Sequence, residues 1–418
     1  MISEETYLAD FAGHLPGNDL PWLLDMRVDA LARFKASGLP DRKVEAWRYT
    51  DLKAIKDQLF DVQGSPDGTV PPALLADSCR LVFNNGTLLE VAVDLPPGVR
   101  LCGMTQAIAE ASEFMSARLG QLAAVRDLPL PALNQAMSRD GYVLIVEPGI
   151  ESMPPVEVLF LNQHGASYPR NLVLVGENSK ATIVEHYLGS SDATYLTNAV
   201  TEIQVSGGGK LQRYKIQQEA MGASHIATVA GELADNSEFE NFDLNLGGAL
   251  ARSEIHLALQ GQGARADLNG IYLLRGTQHC DNTINVDHVF GATNSQQDYR
   301  GILDDQAHGV FQGKITVRPD AQGISGHQLN KTLLLSEKAE INSKPELEIL
   351  ADDVKCSHGA TSGELDESGL FYLRSRGIPE VEARRMLMAA FIAETLAHVG
   401  DETMRNLMDQ LVSDWMTA

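Results

Sequence analysis

Between about Gly141 and Leu350, small polar turn clusters recur roughly every 27 to 31 residues. They are Glu177-Asn178, Gly207-Gly208-Gly209, Asp235-Asn236, Gly261-Gln262-Gly263, Gly291-Ala292-Thr293 and Asp320-Ala321-Gln322. After the first four clusters a β-rich run restarts: KATIVEHY, KLQRYKI, SEFENFDLNL and ARADLNGIYLL. One such unit is too small to bury its own apolar face, so neighbours must stack, and short strands with tight polar bends stack into a β-helix. A β-sandwich of hairpins is the alternative. The number of repeats and the scarcity of two-residue hairpin turns favour the solenoid.

The flanks have a different period. Trp22, Leu23, Met26, Ala30, Leu31 and Phe34 recur three and four apart, predicting a helix over about 20–37 that Gly38 and Pro40 stop. Ser65 to Pro72 is rich in Gly and Pro, and Leu81 to Val93 reads as two strands around Asn84-Asn85-Gly86. Thr105 to Val125 carries Ile108, Phe114, Met115, Leu119 and Leu122 and reads as a second amphipathic helix. From Asp366 onward helices return, with Asp366 or Ser368 as cap, Gly377 and Pro379 between two helices, and a last helix after Gly400. The division is therefore a mostly helical region over 1–135, a β-helix over 136–360 and a helical tail over 361–418. That tail holds ten acidic and five basic residues from Glu364 onward. Its methionines, Met386, Met388, Met404, Met408 and Met416, suit either an adaptable docking face or the tail's own core.

Fifty-six acidic against 33 basic residues give a formal net charge of -23, which repels phosphate backbones and anionic headgroups and argues against nucleic acid as a partner. The opening residues, MISEETYLADF, are acidic where a secretory signal is basic, and no stretch approaches the ~18 apolar residues of a membrane span, so a cytoplasmic location is expected. Cys79, Cys102, Cys280 and Cys356 are far apart with no CxxC pair, which suggests neither a disulfide framework nor structural zinc.

The most pointed constellation is DDVKCSHGAT, residues 352–361. On an extended strand Cys356 and His358 share a face, so a soft thiolate and an imidazole point the same way and suit iron or sulfide. Two ligands are too few for a cluster, so a partner would have to complete the site; a buried thiol beside a satisfied histidine is the ordinary alternative. His279, Cys280, Asp281, Asp287 and His288 read as polar positions on successive rungs, because alternation sends neighbours to opposite faces; His308 and His327 read the same way. Nucleotide and hydrolase motifs are absent: GATSGE at 359–364 lacks the P-loop lysine, and no GxSxG or HExxH occurs.

Two stretches carry a resemblance. RKVEAWRYTDLKAI (42–55) resembles the N-terminal signature of the SufB/SufD scaffold family of iron-sulfur cluster assembly, and DDVKCSHGATSGELDESGLFYLRSRGIPEVEARRMLMAAFIAE (352–394) resembles its C-terminal signature. The length, and the lack of a cysteine-rich N-terminal segment, are similar to the SufD branch. The resemblance implies a right-handed parallel β-helix flanked by helical domains, a non-catalytic scaffold that pairs with a SufB-like partner through the β-helix. It also implies that the C-terminal helices bind a SufC-type ATPase; on these helices Phe371, Arg374, Met386, Phe391 and Glu394 are expected at the contact. His358 matches the histidine implicated at the scaffold interface, as a transient iron ligand, with Cys356 beside it in a weaker role. No cofactor is expected to be held stably; the cargo is a transient iron-sulfur cluster at the interface. The isolated chain is expected to form a homodimer. Two rivals remain at this point: a SufB-like subunit that nucleates the cluster, and a carbohydrate-active β-helix using carboxylates such as Asp298, Asp304 and Asp305.

Overall fold

A computed structural model describes residues 15–56, 69–189 and 194–417. The first half of the Gly- and Pro-rich stretch 65–72, residues 65–68, lies outside the described residues. The first part contains β1 (Cys79–Asn84), β2 (Thr87–Ala92), β3 (Val99–Gly103), β4 (Tyr142–Val146), β5 (Val156–Asn162), β6 (Gly165–Ser167) and β7 (Arg170–Val175). The repeating region follows with β8 (Lys180–Gly189), β9 (Tyr195–Val205), β10 (Lys210–Gln218), β11 (Ser224–Leu233), β12 (Glu238–Asn245), β13 (Leu250–Leu259) and β14 (Arg265–Leu274). It ends with β15 (His279–His288), β16 (Asn294–Leu303), β17 (His308–Val317), β18 (Ile324–Leu334), β19 (Glu340–Ile349) and β20 (Val354–Gly363).

From β8 onward the seven even strands pair in parallel and, with β2, β1 and β5, make one ten-stranded sheet, while the odd strands make the facing sheet, so every coil contributes one strand to each. Among the described residues antiparallel pairing is confined to β1 with β2 and β3 with β4, which excludes the hairpin sandwich and makes the body a parallel β-helix. The sheets also take in β1, which pairs in parallel with β5, and β3, the outer partner of β4. The two-residue turn at Asn85-Gly86, with φ of 47° and 77°, joins β1 to β2.

The predicted turn clusters form a vertical ladder. Each of the first five has one residue with positive φ, in order Asn178, Gly208, Asn236, Gly263 and Ala292, and Gly323, with positive φ, directly follows the sixth. Gly208 is required: a Cβ there would sit 2.4 Å from Asn178 Oδ1 of the coil below. Ala292, at φ 56°, takes a conformation that costs an L-residue about 1–2 kcal/mol, while glycine adds unfolded-chain entropy of about 0.4–1 kcal/mol. Ala292→Gly is therefore expected to stabilise the chain by about 0.5–1 kcal/mol, read as a higher urea midpoint; an unchanged or lower midpoint would show that the turn is unstrained.

The inner faces of the two sheets meet in a core of Val, Leu, Ile and aromatic side chains. Phe83, Phe160 and Tyr187 occupy one register and stack at 5.2 and 4.7 Å. Helices cover parts of the outer faces. On the N-terminal side lie α1 (Pro21–Ser37), α2 (Lys53–Lys56), α3 (Met104–Glu110), α4 (Ser112–Ser116), α5 (Ala123–Arg126) and α6 (Pro129–Met137). The single helix expected over Thr105–Val125 is broken into α3, α4 and α5, by extended φ at Ala111 and by positive φ at Gly120. Ile108, Met115 and Leu119 still join one apolar cluster, so the stripe is satisfied by packing rather than by a continuous helix.

The tail consists of α7 (Glu367–Ser375), α8 (Glu380–Leu396) and α9 (Glu402–Thr417). Asp366 caps α7, accepting from Ser368 N at 3.0 Å, and Gly377 at φ 86° turns the chain toward α8. Ile392, Leu396, Met404, Met408 and Val412 pack on Tyr214, Phe242, Ile271 and Ile302 of the even sheet's outer face. Two of the five tail methionines thus fill a core, and Met386 is exposed.

Candidate functional site: the last coil of the solenoid

β20 ends the even sheet and β19 ends the odd sheet, so each ten-residue strand has one edge without a strand partner among the described residues. Most side chains on both are half-buried or exposed, including Ile349 and Leu350 at the end of β19. A long bare edge is a template for another chain.

Cys356 and His358 both lie on β20, two residues apart on an extended strand, which gives them a common face as the spacing predicts. Cys356 is half-buried against Ile315, Val317 and Ile324, and burial raises its thiol pKa above the ordinary value. Gly326 of β18 lies beside it: a Cβ there would be in ordinary contact with Cys356 Sγ at 3.5 Å and tighter against Ile315 at 3.2 Å. His358 is exposed, sits in register with buried Gln328 of β18, and makes no hydrogen bond among the described residues. Its neighbour Ser357 instead bonds His327 Nδ1 at 2.7 Å, and His327 Nε2 bonds Ser325 at 3.1 Å. The described residues contain no group of three or more His, Cys, Asp and Glu placed to hold a metal ion, so the Cys356–His358 pair stands as an incomplete ligand set.

The other candidates are occupied. Cys280 faces the core, and burial pushes its thiol up to about 12. Burial pulls His279 and His288 down to about 4; His288 bonds Thr293 and Ser295, His279 bonds Thr50, and Asp287 pairs with Arg318 at 2.7 Å. His308 stacks edge-on against His279 and bonds Asn342 at 2.6 Å. Asp304 and Asp305 accept turn N–H groups and Asp298 bonds Thr395, so these carboxylates have structural partners.

The N-terminal signature has a mechanical role. Ala46 O accepts from Arg252 of β13 at 2.9 Å and from Gln312 of β17 at 3.2 Å; Trp47 stacks on the Arg252 guanidinium at 3.8 Å. Thr50 bonds His279 and Asp281 of β15, and Glu45 pairs with Lys344 of β19 at 2.6 Å. The segment is a strap across four successive strands of the odd sheet, reaching the last coil.

On the tail, Phe371 is 75% exposed, with Tyr372, Val381 and Met386 also exposed, and Arg374 lies on the same short helix. Phe391 is half-buried against the solenoid instead, and Glu394, though exposed, is tied to it. Arg300 of β16 donates to Phe391 O and to Glu394, whose pKa the guanidinium hydrogen bond lowers.

Sequence reasoning missed an ionic cluster in the solenoid's interior. Arg213 of β10 is fully buried, donating to Glu185 of β8 at 2.6 Å, to Asn241 at 2.7 Å and to Asp243 of β12 at 3.3 Å. Lys215 joins Asp243 at 3.5 Å, and Tyr142 and Tyr187 donate to Glu185 at 2.7 and 3.1 Å. Burial alone would raise Glu185 and Asp243, but the cations outweigh it and hold both carboxyls below their usual range.

The likeness to known proteins covers the same architecture. Residues 159–391 match the family described as SUF system FeS cluster assembly, SufBD core domain, and residues 4–66 and 75–158 match the SufBD protein N-terminal region. The chain is 33% identical to an iron-sulfur cluster assembly SufBD family protein of Synechocystis, over 94% of this chain and 90% of that protein. It is 32% identical to the iron-sulfur cluster assembly protein SufD of Escherichia coli, over 90% and 89%, and 29% identical to a chloroplastic protein of Arabidopsis thaliana, over 96% and 87%. No described helix is long and apolar enough to cross a membrane. A parallel β-helix whose bare last coil carries the CSH motif, strapped by the N-terminal signature and matched along nearly its whole length, belongs to the SufBD family of iron-sulfur cluster assembly proteins.

Proposed function

We propose that this chain is a SufD-like scaffold subunit, without a catalytic centre of its own, that works in the cytoplasm. In this reading β19 and β20 pair with a SufB-like scaffold, and an iron-sulfur cluster forms transiently as cargo where the two meet. The observation that carries the reading is the open end of the solenoid: two ten-residue strands with a free edge, and on one of them an exposed imidazole with no internal partner. A neutral imidazole binds iron reversibly at neutral pH, which suits a site that must release its cargo. Isolated, the chain pairs the same edges with a second copy as a two-fold homodimer. A SufC-type ATPase docks on the apolar face of α7 and α8, where Phe371, Tyr372, Val381 and Met386 are exposed, while Phe391 and Glu394 hold those helices to Arg300.

Co-expression with a SufB-like scaffold and a SufC-type ATPase tests this reading. Recovery of one assembly containing all three chains is expected, with a dimer by light scattering when the chain is alone. The double change Phe371→Glu and Val381→Glu should lose the ATPase and keep the scaffold partner, because both side chains lie outside the tail's core. Stable uptake of iron and sulfide by the lone chain, or full ATPase recovery with the double variant, would overturn the assignment of roles.

A further inference from the structure

A groove of about 260 Å³ lies among α1, α3 and α6, distinct from the last coil and from the ATPase face. Its apolar wall is formed by Leu20, Leu23, Met26, Met104, Ile108 and Leu119. Arg27 of α1, only 4% exposed, lines the same space.

The chain's other buried arginines show what is unusual about Arg27. Arg80 meets Glu157, Arg170 meets Glu202, Arg213 meets Glu185, Arg252 meets Asp281, and Arg300 meets Glu394. Arg27 makes no ion pair among the described residues. It donates only to neutral acceptors, the carbonyls of Pro16 at 2.8 Å and Ser138 at 2.9 Å and the side-chain oxygen of Asn18 at 2.5 Å, and its Nε has no hydrogen-bond partner there. A buried cation without a counter-charge is costly, and burial accordingly pulls its pKa down to about 10. Arg170, which also lines the groove, already has a carboxylate partner in Glu202 at 2.6 Å.

We propose that this groove is a binding site for a single-chain aliphatic carboxylate, with the carboxylate at Arg27 and the tail along the apolar wall. The groove imposes two separate requirements. An enclosed cation calls for an anion, and guanidinium with carboxylate is the charge-assisted pair that fits it. The apolar wall calls for a tail, and the volume, just under the roughly 300 Å³ at which drug-sized sites begin, limits it to a medium chain.

The test is calorimetric titration of the full chain with sodium decanoate, sodium octanoate and 1-decanol. Saturable one-site binding of decanoate is expected, about tenfold or more weaker for octanoate because each buried methylene is worth about fourfold, and at least tenfold weaker for decanol, which has no charge for Arg27. Arg27→Gln should remove the preference for decanoate over decanol. Because that change can disturb α1, Ala109→Trp is the second variant: Ala109 lines the groove from an exposed position, so the indole should block the tail while leaving the thermal midpoint unchanged. Absence of saturable binding, equal affinity for decanol, or full binding by a folded Ala109→Trp chain would each overturn the proposal, and none of them bears on cluster assembly.

Discussion

Replacing Arg213 with leucine is expected to destabilise the chain by about 3–5 kcal/mol, the largest stability loss of any substitution considered for this molecule. The guanidinium lies inside the solenoid between three coils, and Glu185 depends on it: without Arg213 that carboxylate keeps only neutral hydroxyl donors, those of Tyr142, Tyr187 and Thr201, whereas Asp243 retains Lys215. The deficit should depend on pH in a defined direction. In the native chain the Glu185 carboxyl is held below its ordinary value, so its contribution is present above the unfolded value of about 4.3 and is lost as pH falls through the lower folded value. In the variant no cation offsets burial, which outweighs the remaining hydroxyl hydrogen bonds and raises the folded value, so the carboxylate weakens the fold above about pH 4.3 and is tolerated once protonated. Urea midpoints from pH 8 to pH 4 should therefore converge as pH falls. A constant gap would mean that the loss is packing alone, and adding Glu185→Gln to the variant should recover part of it at neutral pH.

That cluster also shows why the interior was hard to read in advance. Along KLQRYKI, Leu211, Arg213 and Lys215 face the core while Tyr214 and Ile216 face the tail helices, so both faces of β10 are covered. A period of two normally separates a wet face from a dry one, and here it has no wet face to report. The turns were legible because their signal is local: Asn178, Gly208, Asn236, Gly263 and Gly323 are residue types that tolerate positive φ, and their spacing is the height of one coil in sequence. The segment Thr105–Val125 misleads for the opposite reason. Its apolar spacing is set by a shared cluster, and Gly120, where a Cβ would meet Gln135 Nε2 at 2.7 Å, breaks the helix without disturbing the stripe. For the candidate site, the common face of Cys356 and His358 follows from two-residue spacing, but the open end of the solenoid depends on which coil is last. The separation of Phe371 from Phe391 was equally invisible, since what turns Phe391 inward is packing on the even sheet's outer face and the Arg300 guanidinium over its ring, both distant in sequence.

His358→Ala should separate stability from function more sharply than any other change. The side chain is exposed on a terminal strand and makes no hydrogen bond among the described residues, so its removal is expected to alter folding stability by no more than about 0.5 kcal/mol and to leave assembly with partners intact. Under the proposed function the same change removes an iron ligand at a site the chain supplies with only two candidates, and no neighbour replaces it: His327 is engaged by Ser325 and Ser357. Cluster yield by the assembled complex should fall by about tenfold or more. Cys356→Ser makes the informative contrast. Its sulfur packs against Ile315 and Ile324, so serine places a hydroxyl among apolar groups and should cost about 1–3 kcal/mol while reducing cluster yield less than His358→Ala does. The measurements are complex recovery, thermal midpoint and cluster yield for each variant, in cells and in reconstitution. If the His358→Ala complex assembles and builds clusters at the unmodified rate, the imidazole has no role in them, and the bare end of the solenoid is a pairing edge alone.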